Sequence, residues 1–300
     1  NNRGIAWRVL ALLSVLALVV AACGGDDEGG GDGGDSGLLE ELQDEGAITI
    51  GIANEVPYGY EDEETGEVTG AAPEVAKVAL AELGIDEVNA VVVEFGALIG
   101  GLQAGNFDMI AAGMYITPER AEEVIFSDPD YCILEGMLVP AGNPDGLTDY
   151  NSVAGTGLTM AVASGTVNVD YAVWAGLEED QIVEFAGIPD QYDALLAGRV
   201  DVVSGTIQTV TEYAETPGYE DFEVVGPFPA LYENGDEVLG CGGFGFRDEG
   251  LRDAFNAELN AMKDDGTTVE IIDQFLTPGF AEGALGVTRE DVLASAEAAG

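Results

Sequence analysis

Hydrophobic positions along the chain fall into short unbroken runs that alternate with spaced stripes. The run AITIGIA at 47–53, with Gly46 before it and Asn54 after it, predicts a buried strand. AAPEVAKVALAELG follows, with Pro73 near its start and Gly84 at its end. Its Ala76, Ala79, Leu80 and Leu83 fall at i, i+3, i+4 and i+7, one apolar stripe, so it predicts an amphipathic helix. VNAVVVEF, GALIGGLQAG and FDMIAAG read in turn as strand, short helix and strand. After GMLVPAGNPDGLTDY the pattern restarts. The strands GLTMAVA, QIVEFA, RVDVVSG and DFEVVG alternate with the helices VNVDYAVWAGL, PDQYDALLAG and IQTVTEYAE. EVLGCGGFGFR then runs extended, two helices follow in DEGLRDAFNAELNAMKDDG and TTVEIIDQFL, and the tail from Val287 reads as a last amphipathic helix. Strands alternating with helices imply βαβ units and parallel sheets. Two such sets, with extended crossings at 134–141 and 238–246, predict two α/β lobes, the second inserted into the first. A cleft between such lobes is where a ligand binds.

The N-terminal pattern differs. Arg3 and Arg8 precede an apolar run at 9–20 broken only by Ser14, and Ala21-Ala22-Cys23 ends it. At about 14 residues the run is too short to span a bilayer comfortably. A basic start, a short apolar run and small residues before a cysteine resemble a bacterial lipoprotein signal. The expectation is a signal peptide at 1–22 and a lipid on Cys23, holding the protein on the outer face of the cell membrane. GGDDEGGGDGGDSG cannot build a core, so 23–37 is read as an acidic tether reaching roughly 20 Å. About 260 residues remain, enough for two lobes. We assign 38–135 plus 243–300 to lobe 1, and 136–242 with the hinge segments to lobe 2.

Charge narrows the partners. The chain has 57 Asp and Glu against 9 Lys and Arg, a formal net charge of −48, and no histidine. That argues against nucleic acid and anionic lipid surfaces, and fits high salt, where screening weakens self-repulsion. The absence of histidine removes His-based triads and His metal sites. No phosphate loop, metal-ligand spacing or nucleophile motif is present, so no metal or cofactor is expected. With Cys23 lipidated, Cys132 and Cys241 remain, either as an extracytoplasmic disulfide or as two buried thiols. One arginine is oddly placed. Thr117 reads as an N-cap, Pro118 as N1 and Arg120 as N3, where a cation faces the positive end of the helix dipole. An arriving anion would offset that placement; otherwise Glu119, Glu122 or Glu123 could bridge to it at the surface.

The succession PYGYEDEETGEVTGAAPEVAKVALAELG, GALIGGLQAGNFDMIAAGMYITPERAEEVIFSDPDY, SGT before a helix, then LLAGRVDVV resembles the family 3 extracellular solute-binding proteins of ABC importers, over roughly 38–280. The resemblance implies an α/β, periplasmic-binding-protein-like (type II) fold. Two lobes joined by two extended hinge crossings would close on a small zwitterion and deliver it to importer membrane subunits, the protein acting as a monomer and not as an enzyme. NEVPYGY, EFGALIGGLQAG, AAGMYITPER and YCILEGM are most similar to members that bind ectoine and hydroxyectoine. That narrower resemblance assigns Arg120 to the ligand carboxylate. It assigns Tyr58, Phe95 and Tyr115 to an aromatic box around a delocalised amidinium, and Glu55 to its single counter-charge. Ser164, Thr166 and Asn168, at a strand-to-helix turn, would hold the same carboxylate from the second lobe. Amino-acid binders of the family carry an aspartate after RVDAV. Here Gly205 and Thr206 stand there, which leaves an ordinary ammonium without its usual partner. A receptor for a polar amino acid or another zwitterion is the alternative. A periplasmic dehydratase-like enzyme, with Glu55 its main acid, is a third reading. Arg199 and Trp174 read as structural, and Asp128 and Asp130 as caps of a turn around Pro129.

Overall fold

The computed structural model describes residues 37–62 and 64–299. The signal peptide, Cys23 and the tether up to residue 36 lie outside the described residues. Among those described, no helix is long and apolar enough to cross a membrane.

Helix α1 (Gly37–Glu45) leads into β1 (Ala47–Ile52). A small hairpin, β2 (Tyr60–Glu61) and β3 (Val68–Thr69), precedes α2 (Ala71–Glu82), β4 (Glu87–Val92), α3 (Leu98–Gln103) and β5 (Met109–Tyr115). Then come α4 (Pro118–Ala121), β6 (Ile125–Phe126) and β7 (Tyr131–Cys132). The second set comprises β8 (Glu135–Pro140), α5 (Tyr150–Val153), β9 (Met160–Ala163), α6 (Asn168–Trp174), β10 (Ile182–Phe185), α7 (Ile188–Leu196), β11 (Val202–Thr206), α8 (Ile207–Glu215) and β12 (Phe222–Phe228). The chain returns through β13 (Cys241–Phe246), α9 (Glu249–Asp265), α10 (Thr267–Ile272) and α11 (Arg289–Ala299).

The first sheet runs β4-β1-β5-β13-β6, with β7 also on β13; the second runs β10-β9-β11-β8-β12. As the alternation predicts, β4, β1 and β5 are parallel, and so are β10, β9 and β11. The strands that carry the chain between lobes are antiparallel to their neighbours: β13 on β5 and β7, β8 on β11 and β12. A strand arriving from the other lobe has no crossover helix to turn it round, so it enters head to tail. The predicted stripe of α2 packs as expected: Ala76, Ala79 and Leu80 are fully buried with Val75, and Gly84 ends the segment at φ +82°, in the left-handed region.

Three local features fix the frame of the cleft. Cys132 and Cys241 lie opposite each other on β7 and β13 and are joined by a disulfide. One residue on, the Ile133 N–H donates to the Gly240 carbonyl at 2.8 Å. Asp128 does more than cap a turn. Its carboxylate accepts from the side-chain amides of Asn256 and Asn260 and from the Arg289 N–H, tying α9 and α11 to the first sheet. The neighbouring Asp130 is buried, with one carboxylate oxygen unpartnered.

Candidate functional site

The carboxyl ends of the parallel strands deliver one set of side chains. The turn after β1 closes on itself through paired hydrogen bonds between Glu55 and Gly59, which sets Glu55 and the buried Tyr58 at the cleft. Phe95 follows β4, Tyr115 ends β5, and Arg120 sits in the first turn of α4, where the Thr117 hydroxyl accepts its N–H at 3.3 Å. From the second lobe, Thr166 and Asn168 follow β9 and Thr206 ends β11. Being antiparallel, β8 brings its first residue, Glu135, to the same edge. These residues, with Gly113, Tyr131 and Val167, enclose a cavity of about 40 Å³.

Arg120 is not a surface bridge. Among the described residues it forms no ion pair. Its Nη1 donates to the Tyr115 carbonyl and its Nη2 reaches across the cleft to the Gly165 carbonyl, both at 2.8 Å. The guanidinium lies 5.4 Å from the centroid of the Phe95 ring. Burial pushes its pKa down from the ordinary value. A partly dehydrated guanidinium lining a cavity, without a carboxylate partner among the described residues, has the chemistry to receive an anion.

The aromatic cluster is larger than the three rings singled out from the sequence. Tyr131 stands between Tyr58 and Tyr115, with ring centroids 5.3 Å and 6.4 Å away, and its hydroxyl donates to the Gly113 carbonyl at 2.7 Å. Gly113 has φ +63°, and a Cβ there would lie 2.7 Å from the Tyr58 ring, so only glycine lets the rings approach the strand. Tyr131 was hidden in the sequence inside the acidic SDPDY turn. Its position in register opposite Gly242 was the only signal, and register is not legible without the pairing partner.

Two more findings depart from the sequence reading. Ser164 does not line the pocket. Its hydroxyl donates to Glu184 at 2.9 Å, because the turn after β9 points this side chain toward β10. Thr166 lines the pocket, but its hydroxyl proton is committed to the Ala163 carbonyl at 2.7 Å. The second departure is Glu135. The sequence reading gave Glu55 as the only acid and found none near Thr206. Yet Glu135 pairs with Thr206 across β8 and β11, supplying a carboxylate from the adjacent strand.

Both acids are held by neutral partners. Glu55 accepts from the Thr209 hydroxyl at 3.0 Å. Glu135, 2% exposed, meets the Tyr115 hydroxyl at 3.1 Å and the Asn168 amide nitrogen at 2.8 Å. The same amide donates to the Tyr150 hydroxyl. Burial raises the Glu55 pKa to about 7 against the Thr209 bond, and the Glu135 pKa to about 8 against the bonds from Tyr115, Asn168 and Tyr150. The lobes are latched together by Tyr58 to Thr206 at 2.9 Å, by Thr209 to Glu55, and by Arg120 to Gly165. Trp174 and Arg199 have structural surroundings: Trp174 packs on Tyr171 and Tyr232, and Arg199 lies over Phe185.

Comparison with known proteins places this geometry in context. The model of bacterial extracellular solute-binding proteins, family 3, matches residues 48–278. A probable amino-acid ABC transporter periplasmic-binding protein of Sinorhizobium fredii, y4tE, is 39% identical over 225 residues, 74% of each chain. Among solved structures, EhuB in complex with hydroxyectoine superposes with a TM-score of 0.76 at 35% identity, covering 86% of this chain and 98% of that one. An ancestral arginine-binding protein bound to arginine gives 0.66 at 26% identity, covering 77% of this chain and 98% of the other.

Proposed function

Because the chain belongs to the family 3 bacterial extracellular solute-binding proteins, we propose that it captures ectoine or hydroxyectoine for an ABC importer. It is a solute-binding protein of the amino-acid importer type, and not an enzyme. The observation that carries the ligand reading is the convergence of Arg120, Glu55 and the rings of Tyr58, Phe95, Tyr115 and Tyr131 on one pocket between the lobes. A ligand carboxylate would take the free N–H groups of Arg120, with Thr166 and Asn168 beside it. A flat amidinium spreads its charge over N–C–N and is weakly hydrated, which suits aromatic faces worth about 0.5–2 kcal/mol each. Glu55 would leave Thr209 and accept from the amidinium N–H. Solute binding then exchanges latch bonds for solute bonds and biases the lobes toward closure.

A polar amino acid is the second reading, and Glu135 is the observation that favours it, since a carboxylate opposite Thr206 could meet an ammonium. Delivery to membrane subunits as a monomer, with a lipid on Cys23 as anchor, completes the proposal. Calorimetric titration of the mature protein with ectoine, hydroxyectoine, glutamine and arginine tests it. The expected preference for ectoine or hydroxyectoine is at least ~100-fold, about 2.7 kcal/mol. Equal or tighter binding of a standard amino acid would overturn the ectoine reading in favour of the second.

A further inference from the structure

The pocket contains more acid than a single ligand cation can neutralise. Glu55 comes from the first lobe and Glu135 from the second, and both line the same small cavity. Among the described residues, neither forms an ion pair with lysine or arginine. Among the described residues, Arg120 is the one cation lining the cavity, and its charge would be matched by the carboxylate of a zwitterion held there. The ligand's own cation then matches one acid. With a net-neutral solute the second acid would stay behind as an unbalanced buried charge, which is costly in a dry site.

Resting on the reading of this pocket as the solute site, we propose that Glu55 and Glu135 share one exchangeable proton, held mainly on Glu135, and that this proton must be present for a net-neutral zwitterion to be bound. The hydrogen bonds allow it. The Asn168 Nδ2 donates to Oε2 of Glu135, so that oxygen is an acceptor. The Tyr115 hydroxyl beside Oε1 can equally accept, so a proton on Oε1 has a partner at 3.1 Å. The groups around Glu135 do not supply a competing cation. The phenols of Tyr58, Tyr115, Tyr131, Tyr150 and Tyr171 are all pushed well above their ordinary pKa by burial and stay neutral, and Arg120 is already committed to the ligand carboxylate. Asp130 interacts with Tyr58 and Tyr131 but lies outside the cavity lining. The raised pKa of Glu135, with burial as its first cause and the Glu55 charge adding to it, is in the same direction.

The linkage has a definite sign. Binding that needs one proton on the pair is strongest between the two free-state values, about 7 for Glu55 and about 8 for Glu135, because below that window Glu55 must first release a proton. Above it, each solute bound takes up about one proton from the buffer, and affinity falls about tenfold per pH unit. Two measurements test this independently. Infrared difference spectra of the ligand-free protein should show a protonated-carboxyl C=O band near neutral pH, and its component that titrates last, near pH 8, should be lost in Glu135→Gln while the Glu55 and Asp130 components remain. Calorimetry with hydroxyectoine, in buffers of different ionisation enthalpy, should give about one proton taken up above pH 8 in the parent and none in Glu135→Gln. Glutamine imitates the neutral acid but cannot titrate, so the variant's affinity, whatever its level at pH 7, should stay flat at high pH where the parent's falls. A parent without the band, a parent whose affinity is flat with pH, or a folded Glu135→Gln whose affinity falls with pH as the parent's does overturns the proposal. A parent that shows the band yet binds no hydroxyectoine at any pH instead removes the ectoine reading and leaves the shared proton standing.

Discussion

Closure can be tested at Gly165, which follows β9 at φ +79° and faces Gly96 of the other lobe. A Cβ at 165 would lie 2.6 Å from Gly96 Cα and 3.2 Å from Gly96 N. Backbone cannot swing aside as a rotamer can, so in Gly165→Ala the lobes must part by about 1 Å to reach ordinary carbon contact. The same motion would stretch the Arg120 Nη2 to Gly165 O bond, now 2.8 Å, beyond hydrogen-bonding range. Losing a hydrogen bond to a charged group is worth about 1.5–3 kcal/mol, or roughly 10- to 150-fold in Kd. The left-handed backbone adds strain of about 1–2 kcal/mol. That strain is present whether the cleft is open or closed, so it lowers Tm by a few degrees without touching affinity. Calorimetry gives the affinity, and small-angle scattering with and without solute gives the compaction. Gly96→Ala is the graded control. Its Cβ would meet the Ser164 carbonyl at 3.1 Å, which a shift of a few tenths of an ångström relieves, so it should lose clearly less. If Gly165→Ala binds within about threefold of the parent and compacts normally, capture does not require this approach of the lobes, and the reasoning fails.

Removing the guanidinium in Arg120→Ala should weaken solute binding at least ~100-fold with the circular dichroism unchanged, because a buried carboxylate loses its partner at about 2–5 kcal/mol; near-normal affinity would take Arg120 out of the site. Leucine at Tyr58, Phe95, Tyr115 or Tyr131 keeps apolar area and loses the π face, for an expected weakening of about 5- to 30-fold each by calorimetry. Replacing Cys132 and Cys241 with serine releases a loop with a sequence separation of 109 residues. It should lower stability by about 2–5 kcal/mol in denaturant titration, and an unchanged midpoint would contradict the bridge. Burial works to raise the Asp128 pKa, but hydrogen bonds from Asn260, the Arg289 N–H and Asn256, with the Lys263 charge, outweigh it and hold the carboxyl below the ordinary range. Its stabilisation is therefore complete above the unfolded pKa of about 4 and is lost as pH falls through the folded value. Asp128→Asn should flatten that acid limb of the stability curve.

Much of the fold was legible because periodicity and punctuation agreed. The α2 stripe, Pro73 and Gly84 all pointed to one helix, and IQTVTEYAE became α8 without adjustment. Glu55, Tyr58, Phe95, Tyr115 and Arg120, the residues that the motif around them pointed to, line one cavity. Side-chain direction was not legible. Ser164 sits in the right turn but faces Glu184, a matter of one dihedral that no spacing encodes. Glu135 was missed for a different reason. In YCILEGM it looks like one more acid in an acidic chain. Only the antiparallel pairing of β8 with β11 sets it beside Thr206, and pairing between strands about 70 residues apart leaves no local trace. Tyr131 was overlooked in the same way.

Bonding Cys132 to Cys241 turns the two crossing strands into a single stiff strip at the first lobe, and the Ile133 to Gly240 hydrogen bond extends the strip by one residue. On the other side, the Leu134 carbonyl already accepts from Ile207 N–H, and Val238 N–H donates to Ala230. The covalent joint is thereby cut down to Ile133–Leu134 on the way out and Leu239–Gly240 on the way back. So short a joint has few torsional degrees of freedom and little slack. A motion about such a joint would resemble a crank with one axis more than a ball in a socket, and a solute that biased it would set one angle between the lobes. A membrane partner that had to distinguish a loaded receptor from an empty one could read that angle from the outer surfaces alone, without touching the solute.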